Sequence, residues 1–374
     1  MTLEVLMILV FVAGIDVGAL LLHLLRRAPG YRAKTAQPFL PDSAAQKAHR
    51  WWQRRALRVV GRRIALIAAP VLANALYASV AVSQESLHRI DPVIFVAFQM
   101  AILAPIAGGM LWYTRRANEA RLVRQGWIGG LPLGVGFICV SLSLRTLGIV
   151  PTAMLTALDG IAASLISWLL FRQRQPLFTC LAAGCAGCGA FLLWWVAPGS
   201  WQADVLALCC GLLFTAYAFH VERSAVARAR PKDLWAFFGG VFLSMALVTL
   251  ALALCFGSWS SVNRFSLADL ETLLYTSFAA VLIPVVISTM LLRALSAVTL
   301  AFCAILEPVI SIAFAYTLGS LSLPLLGWLG AGSILLSVIV QAGAAAANRT
   351  PIAPEDDRVR DGEPASSEAV VGDA

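Results

Sequence analysis

The sequence predicts an all-α integral membrane protein with ten transmembrane helices in two inverted five-helix repeats, plus an extra N-terminal hydrophobic helix. Three observations predict this fold. Apolar runs of about twenty residues recur along the chain, and each can cross a hydrocarbon core about 30 Å thick. The basic residues fall almost entirely on one side of these runs, and the chain matches itself when it is shifted by 148 residues.

The composition excludes an ordinary soluble domain. The chain is 60% hydrophobic and 13% charged, whereas soluble domains carry about 25% charged residues. The apolar runs are continuous rather than alternating, which excludes a transmembrane β-barrel and predicts helices.

In chain order, residues 1–25 are predicted to be an extra membrane helix, because two arginines follow it and no basic start precedes it. Residues 26–63 form a basic cytoplasmic linker. The first five-helix repeat covers 64–197 and the second covers 203–346, and residues 347–374 are expected to be a disordered cytoplasmic tail. The ten spans are predicted at 64–83, 92–113, 127–146, 150–171, 177–197, 203–222, 234–257, 272–292, 298–319 and 324–345.

The distribution of charge predicts the topology. The chain has 28 Lys and Arg residues, and only Arg89, Arg145 and Arg264 fall on the side opposite the others. By the positive-inside rule, the rich side is cytoplasmic. We therefore expect a multi-pass protein of the cytoplasmic membrane with a cytoplasmic C-terminus. The net charge of +8 is explained by this asymmetry, and no nucleic-acid partner is expected.

An internal repeat divides the ten spans into two units of five. With the 148-residue shift, "LRTLGIVPTAMLTALDG" (144–160) lies over "LRALSAVTLAFCAILEP" (292–308), and Asp159 meets Glu307. Five is odd, so two joined five-span units must insert in opposite orientations. Inverted repeats of this kind are typical of secondary transporters, whose substrate site lies between the repeats near the bilayer midplane.

The stretch "VTLAFCAILEPVISIAFAYTLGSLSLPLLGWLGAGSILLSVIV" (298–340) resembles the end of an EamA-type member of the drug/metabolite transporter superfamily. Residues 150–197 resemble the same module in the first repeat. The resemblance implies ten spans in two repeats and the export of amino acids, other metabolites or toxic compounds. This chain departs from the family pattern: the glutamate of the family's "LGE" is Ser320, and the first "LEP" is Leu158, Asp159 and Gly160.

The two acids are the leading candidates for chemistry. Glu307 and Asp159 each lie nine residues into a predicted span, roughly 14 Å deep at 1.5 Å per residue. A carboxylate at the bilayer centre costs about 3 kcal/mol even on lenient scales, so each should face a partner or a wet cavity. Such a group could bind and release protons or pair with an ammonium substrate. The alternative is a protonated acid that donates one hydrogen bond to a neighbouring helix.

Other polar side chains could complete a substrate or proton site. Thr156 and Ser311 lie on the same helix faces as Asp159 and Glu307, and further spans contribute Asn74, Tyr77 and Tyr217. Each of these alone is also compatible with an interhelical hydrogen bond. Pro308 is expected to kink its helix and to free the carbonyl of Ala304. No cysteine–histidine cluster indicates a metal, and no cofactor is expected.

The function predicted is a secondary transporter, an exporter of a small organic metabolite or drug, that works by alternating access and is coupled to protons. The alternative is a non-transporting scaffold or sensor built on the same fold. An enzyme is not predicted, because the spans hold no nucleophile–base pair. The expected partners are the small-molecule substrate and the lipid bilayer, with a homodimer left open.

The topology can be tested by cysteine labelling. In a cysteine-free background, Arg228→Cys should stay unlabelled by a membrane-impermeant thiol reagent in intact cells and should react once the cells are opened, because residues 223–232 are predicted to be cytoplasmic. A cysteine placed at 84–91 is the matched control and should react in intact cells. Labelling of the first variant in intact cells would overturn the assignment.

Overall fold

A computed structural model describes residues 68–79, 89–114, 120–148, 152, 158–196, 200–293, 295–317 and 324–347. The predicted extra helix at 1–25, the linker at 26–63 and the tail lie outside the described residues, apart from residue 347. The main helices of the described part are α1 (68–79), α2 (Pro92–Tyr113), α3 (Ala120–Leu147), α4 (Asp159–Leu169), α5 (Leu177–Val196), α6 (Trp201–Arg223), α7 (Leu234–Phe256), α8 (Leu267–Tyr275), α9 (Ile283–Leu291), α10 (Ala297–Ala304), α11 (Leu306–Thr317) and α12 (Leu325–Ala347).

Seven helices of the described part are long and apolar enough to cross a membrane, counting α8 to α9 and α10 to α11 as one helix each. This agrees with the predicted integral membrane protein. Within the predicted span at 150–171, the described part is the shorter apolar helix Asp159–Leu169. Within the predicted span at 324–345, the apolar part of α12 is Leu325–Gln341, which is also a shorter apolar helix. The number of ten spans and their division into repeats remain predictions.

Two predicted starts were too late. α3 begins at Ala120 instead of 127, and its first turns carry Arg121 and Arg124. Backbone hydrogen bonding does not stop where the apolar run stops, and long basic side chains can extend to the polar interface. Likewise α8 begins at Leu267, after a capping box in which Ser266 and Asp269 bond each other's backbone N–H groups.

Helix α7 is the centre of the packing. It lies against both α2 and α3, and its Phe237, Phe238 and Phe242 are almost fully buried. Glycines allow α3 and α7 to approach closely, because a Cβ on either Gly126 or Gly240 would run into backbone atoms of the other helix. The backbones are therefore in direct contact, as small residues permit between membrane helices.

A second close pair is α5 with α12. Gly189 and Gly330 face each other with no room for a Cβ, and the Ser333 hydroxyl donates a hydrogen bond of 2.8 Å to the carbonyl of Cys185. Both glycines belong to the glycine-rich segments of their spans. On the opposite faces, side chains such as Leu181, Trp195 and Ile339 are exposed, as expected for helices that face lipid.

Two of the long helices are locally irregular. A π-helical segment, Thr276–Leu282, joins α8 to α9 just before Pro284; proline cannot donate to the preceding turn, and π segments relieve such a mismatch. A turn at Ile305 separates α10 from α11. It lies three residues before Pro308, the predicted kink residue, which cannot bond to the carbonyl of Ala304.

The contact between α3 and α7 predicts a large cost for a side chain at Gly240. Gly240→Val should force the two backbones apart and destabilise the protein by about 1–3 kcal/mol, the usual cost of overpacking. The matched control is Gly184→Val, because a Cβ at Gly184 meets nothing within 4 Å. Thermal unfolding in detergent should show a lower Tm for the first variant only; an equal Tm for both would mean that α3 and α7 do not touch at this point.

Candidate functional site

A cavity of about 130 Å³ lies inside the bundle. Its described walls come from α1, α2, α3, α4, α6, α9, α10 and α11, together with Thr152, and most of its lining is apolar. The polar groups on it include two carboxylates, those of Asp159 and Glu307. A mostly apolar cavity with a few convergent polar groups is the usual form of a small-molecule site.

Asp159 is held against α6. It lies in the first turn of α4 and is 7% exposed. Its Oδ1 has no hydrogen-bond partner among the described residues, and it occupies the space where a Cβ of residue 211 would stand. Gly211 is therefore the residue that makes room for this carboxylate. The first turn of a helix also favours a negative charge, because unpaired N–H groups point toward it.

Glu307 reaches the cavity from the interrupted helix. It is the second residue of α11, in the first turn after the break at Ile305, and it is partly exposed. The break places a helix N-terminus inside the bundle. The partial positive charge of a helix N-terminus stabilises a nearby carboxylate. The two acids that the 148-residue shift aligned thus lie on one cavity.

The other predicted site residues divide into three groups. Asn74, Tyr77 and Tyr217 line the cavity. Ser311 is fully buried but is not among the described lining residues, because only the first turn of α11 reaches the cavity. Thr156 lies outside the described residues. A binding role for these residues remains a prediction.

Some polar lining groups also hold the helices together. The amide of Asn74 donates hydrogen bonds of 2.8 Å to the carbonyls of Pro70 and Cys303, which ties α1 to α10. The hydroxyls of Tyr217 and Thr289 lie 2.6 Å apart, linking α6 to α9. These bonds agree with the interhelical alternative considered for each residue.

Two further polar residues lack such bonds. Gln99 and Thr215 line the cavity, are 1% and 2% exposed, and have side-chain polar atoms without a partner among the described residues. The interhelical hydrogen bond expected for a buried glutamine in a span is therefore not found for Gln99 in this part of the chain.

The arrangement places negative charge in a confined space. Lys, Arg and His are absent from the described lining residues, so ionised Asp159 and Glu307 would have no cationic side chain beside them. Like charges in a partly apolar cavity repel strongly. The pair can be neutralised by protons or by a cationic solute. Among the described residues no group of three His, Cys, Asp or Glu side chains could hold a metal ion.

Comparisons with known proteins agree with this architecture. The model of the EamA-like transporter family matches residues 63–195, as expected for a drug/metabolite transporter superfamily member, and confirms the resemblance noted from the sequence. No curated protein matches the chain. A protein crystal structure without a functional description shares 15% identity and a TM-score of 0.56, covering 76% of this chain and 99% of its own; this likeness shows the fold alone.

The contact between Gly211 and Asp159 predicts an energetic coupling. Gly211→Ala should destabilise the wild type, because the new Cβ displaces the carboxylate. In the Asp159→Ala background the same change should be neutral or stabilising by up to about 1 kcal/mol, the helix preference of alanine over glycine. Detergent unfolding of the four proteins measures this coupling. If Gly211→Ala has the same effect in both backgrounds, the two residues do not meet.

Proposed function

We propose that this protein is a secondary transporter that moves a small organic solute through the cavity by alternating access between two inverted repeats. Asp159 and Glu307 are proposed to couple the movement to protons. The family match to residues 63–195 and the membrane-spanning helices support a membrane transporter of small molecules. The repeats, the coupling and the mechanism are our proposal.

The observation that carries the proposal is the pairing of cavity residues. The shift of 148 residues was derived from the sequence alone, yet it relates residues that line one and the same cavity. The pairs are Phe137 and Val285, Val140 and Ser288, Leu144 and Leu292, Thr152 and Leu300, and Asp159 and Glu307. A cavity on the pseudo-two-fold axis of two repeats would have this composition.

Two arginine tethers support the same relation. Arg145, after the cavity residues of α3, donates a hydrogen bond of 3.2 Å to the carbonyl of Ile90, just before α2. Arg293, its partner in the shift, follows α9 and donates a hydrogen bond of 2.6 Å to the carbonyl of Ala229, ahead of α7. With the predicted topology, one tether lies at each membrane face.

Helix packing also supports two related halves. α3 lies against α6, and the corresponding contact of the other half joins α9 to α1, through Ile287 and Leu291 against Ala69 and Ala73. Two halves of similar structure can exchange conformations, so that a shared cavity opens first to one side and then to the other.

In this mechanism the two carboxylates bind the solute and protons alternately. An ionised carboxylate in the cavity binds the solute or a proton, and a protonated carboxyl leaves the space electrically neutral. Because the charge must be compensated before the cavity closes, binding of one partner favours release of the other. The solute and the proton then cross in opposite directions, so the solute accumulates on the side with the higher proton concentration.

A neutral replacement of Glu307 tests this function. A thermal-shift screen of a metabolite library should give a solute that stabilises the protein, and proteoliposomes with a pH gradient should then accumulate it. Glu307→Gln keeps the shape and removes the charge. We expect it to abolish uphill accumulation while downhill exchange continues, with Asp159→Asn having a milder effect of the same kind.

The matched control is Glu271→Gln, which neutralises an exposed carboxylate of α8 and should transport like the wild type. Unchanged transport and an unchanged pH profile in both cavity variants would show that the acids are structural hydrogen-bonding groups. A solute that binds but is never moved would instead favour the non-transporting sensor.

A further inference from the structure

The residues that line the proposed transport cavity indicate the charge of its solute. Its described lining includes the carboxylates of Asp159 and Glu307 and no basic side chain. Arg145 and Arg293, which follow the lining residues Leu144 and Leu292 in the chain, donate to backbone carbonyls outside the lining. A solute with a net negative charge would therefore meet repulsion from the acids and find no counter-charge.

One wall of the cavity is aromatic. The ring centroids of Tyr77 and Phe137 are 6.4 Å apart, and those of Phe137 and Phe214 are 5.3 Å apart. These three rings come from α1, α3 and α6, and all of them line the cavity. The faces of aromatic rings attract cations within about 6 Å of the ring centroid, most strongly where water is excluded.

Buried polar atoms without partners point to a bound molecule. The Asp159 Oδ1, both polar side-chain atoms of Gln99 and the Thr215 hydroxyl lack hydrogen-bond partners among the described residues, although each side chain is more than nine-tenths buried. Buried polar groups nearly always have a partner. Carboxylate, amide and hydroxyl oxygens all accept hydrogen bonds, as an ammonium donor requires.

The volume limits the size of the solute. A water molecule needs roughly 10–15 Å³ of this kind of volume, so a cavity of about 130 Å³ has room for about ten water-sized groups. A molecule with about ten non-hydrogen atoms fits without rearrangement of the helices. Polymers and large multi-ring compounds do not fit the cavity in this conformation.

We infer that the cavity is selective for a small organic cation, a protonated amine with an apolar body. The rings of Tyr77, Phe137 and Phe214 bind the apolar body and its charge, and Asp159 and Glu307 neutralise the charge. This inference rests on the proposed function for the identity of the site, and it specifies the substrate class that the site takes.

Binding of three probes of similar size tests the selectivity: cationic 2-phenylethylammonium, neutral phenylacetamide and anionic phenylacetate. Titration calorimetry on purified full-length protein should give an affinity for the cation at least about tenfold higher than for the amide, as expected for a charge paired in a desolvated site, and no binding of the anion. Equal affinities of cation and amide would overturn the inference.

Variants then test the aromatic wall. Phe137→Leu keeps an apolar side chain but loses the ring face, so it should weaken binding of the cation about fivefold and that of the amide less than twofold. Phe214→Leu is a second variant, to be used if the first does not fold. Phe191→Leu, at an exposed phenylalanine, is the matched control. An equal loss for cation and amide would mean that the rings act only as apolar surface.

The two proposals can fail separately. Cation binding without movement in proteoliposomes would reject the transporter and leave the selectivity standing. Movement of a neutral or anionic solute by a protein that does not prefer the cation would do the reverse.

Discussion

The structure depends on one constraint: inside a hydrocarbon layer, every backbone polar group and every charge must find its partner within the protein or in an enclosed wet space. Helices satisfy the backbone, and the exposed faces of α5 and α12 can then be apolar. The same constraint moves the acids inward. Asp159 and Glu307 are unfavourable against lipid, and the helices that carry them place both acids on one cavity. The interruption at Ile305 is also buried, where the carbonyl of Ala304, which Pro308 cannot bond, needs a partner within the protein.

Much of this arrangement could be predicted from the sequence, because it depends on patterns that extend over the whole chain. Apolar run length is visible in composition, and the alignment of Asp159 with Glu307 needs only a shift of the chain against itself. The predicted starts of α3 and α8 were wrong by several residues. Hydropathy shows where an apolar run begins, whereas caps and the polar interface determine where the helix itself begins. Gln99 and Thr215 were not chosen as site residues, because whether a buried polar group has a partner depends on the neighbouring helices. The volume of the cavity and the contact of Gly211 with Asp159 are likewise properties of packing between distant segments.

Several of the cavity residues that the 148-residue shift relates are unlike each other. In the pairs that line the cavity, Phe137 is aligned with Val285, and Thr152 is aligned with Leu300. Within these pairs, acids are kept in both halves, while shape and polarity differ. In the proposed mechanism, the two acids provide charge, and the unlike residues around them provide discrimination between solutes.

The arginine tethers have an evolutionary consequence. Arg145 and Arg293 both donate to backbone carbonyls, and a carbonyl is present whichever amino acid occupies the acceptor position. Residues 90 and 229 can therefore be substituted without loss of the acceptor, as long as the position of the backbone is unchanged. The donor positions are more restricted, because each must keep a long side chain that carries an N–H donor. Substitutions should therefore be tolerated more readily at the acceptor end of each tether than at the donor end.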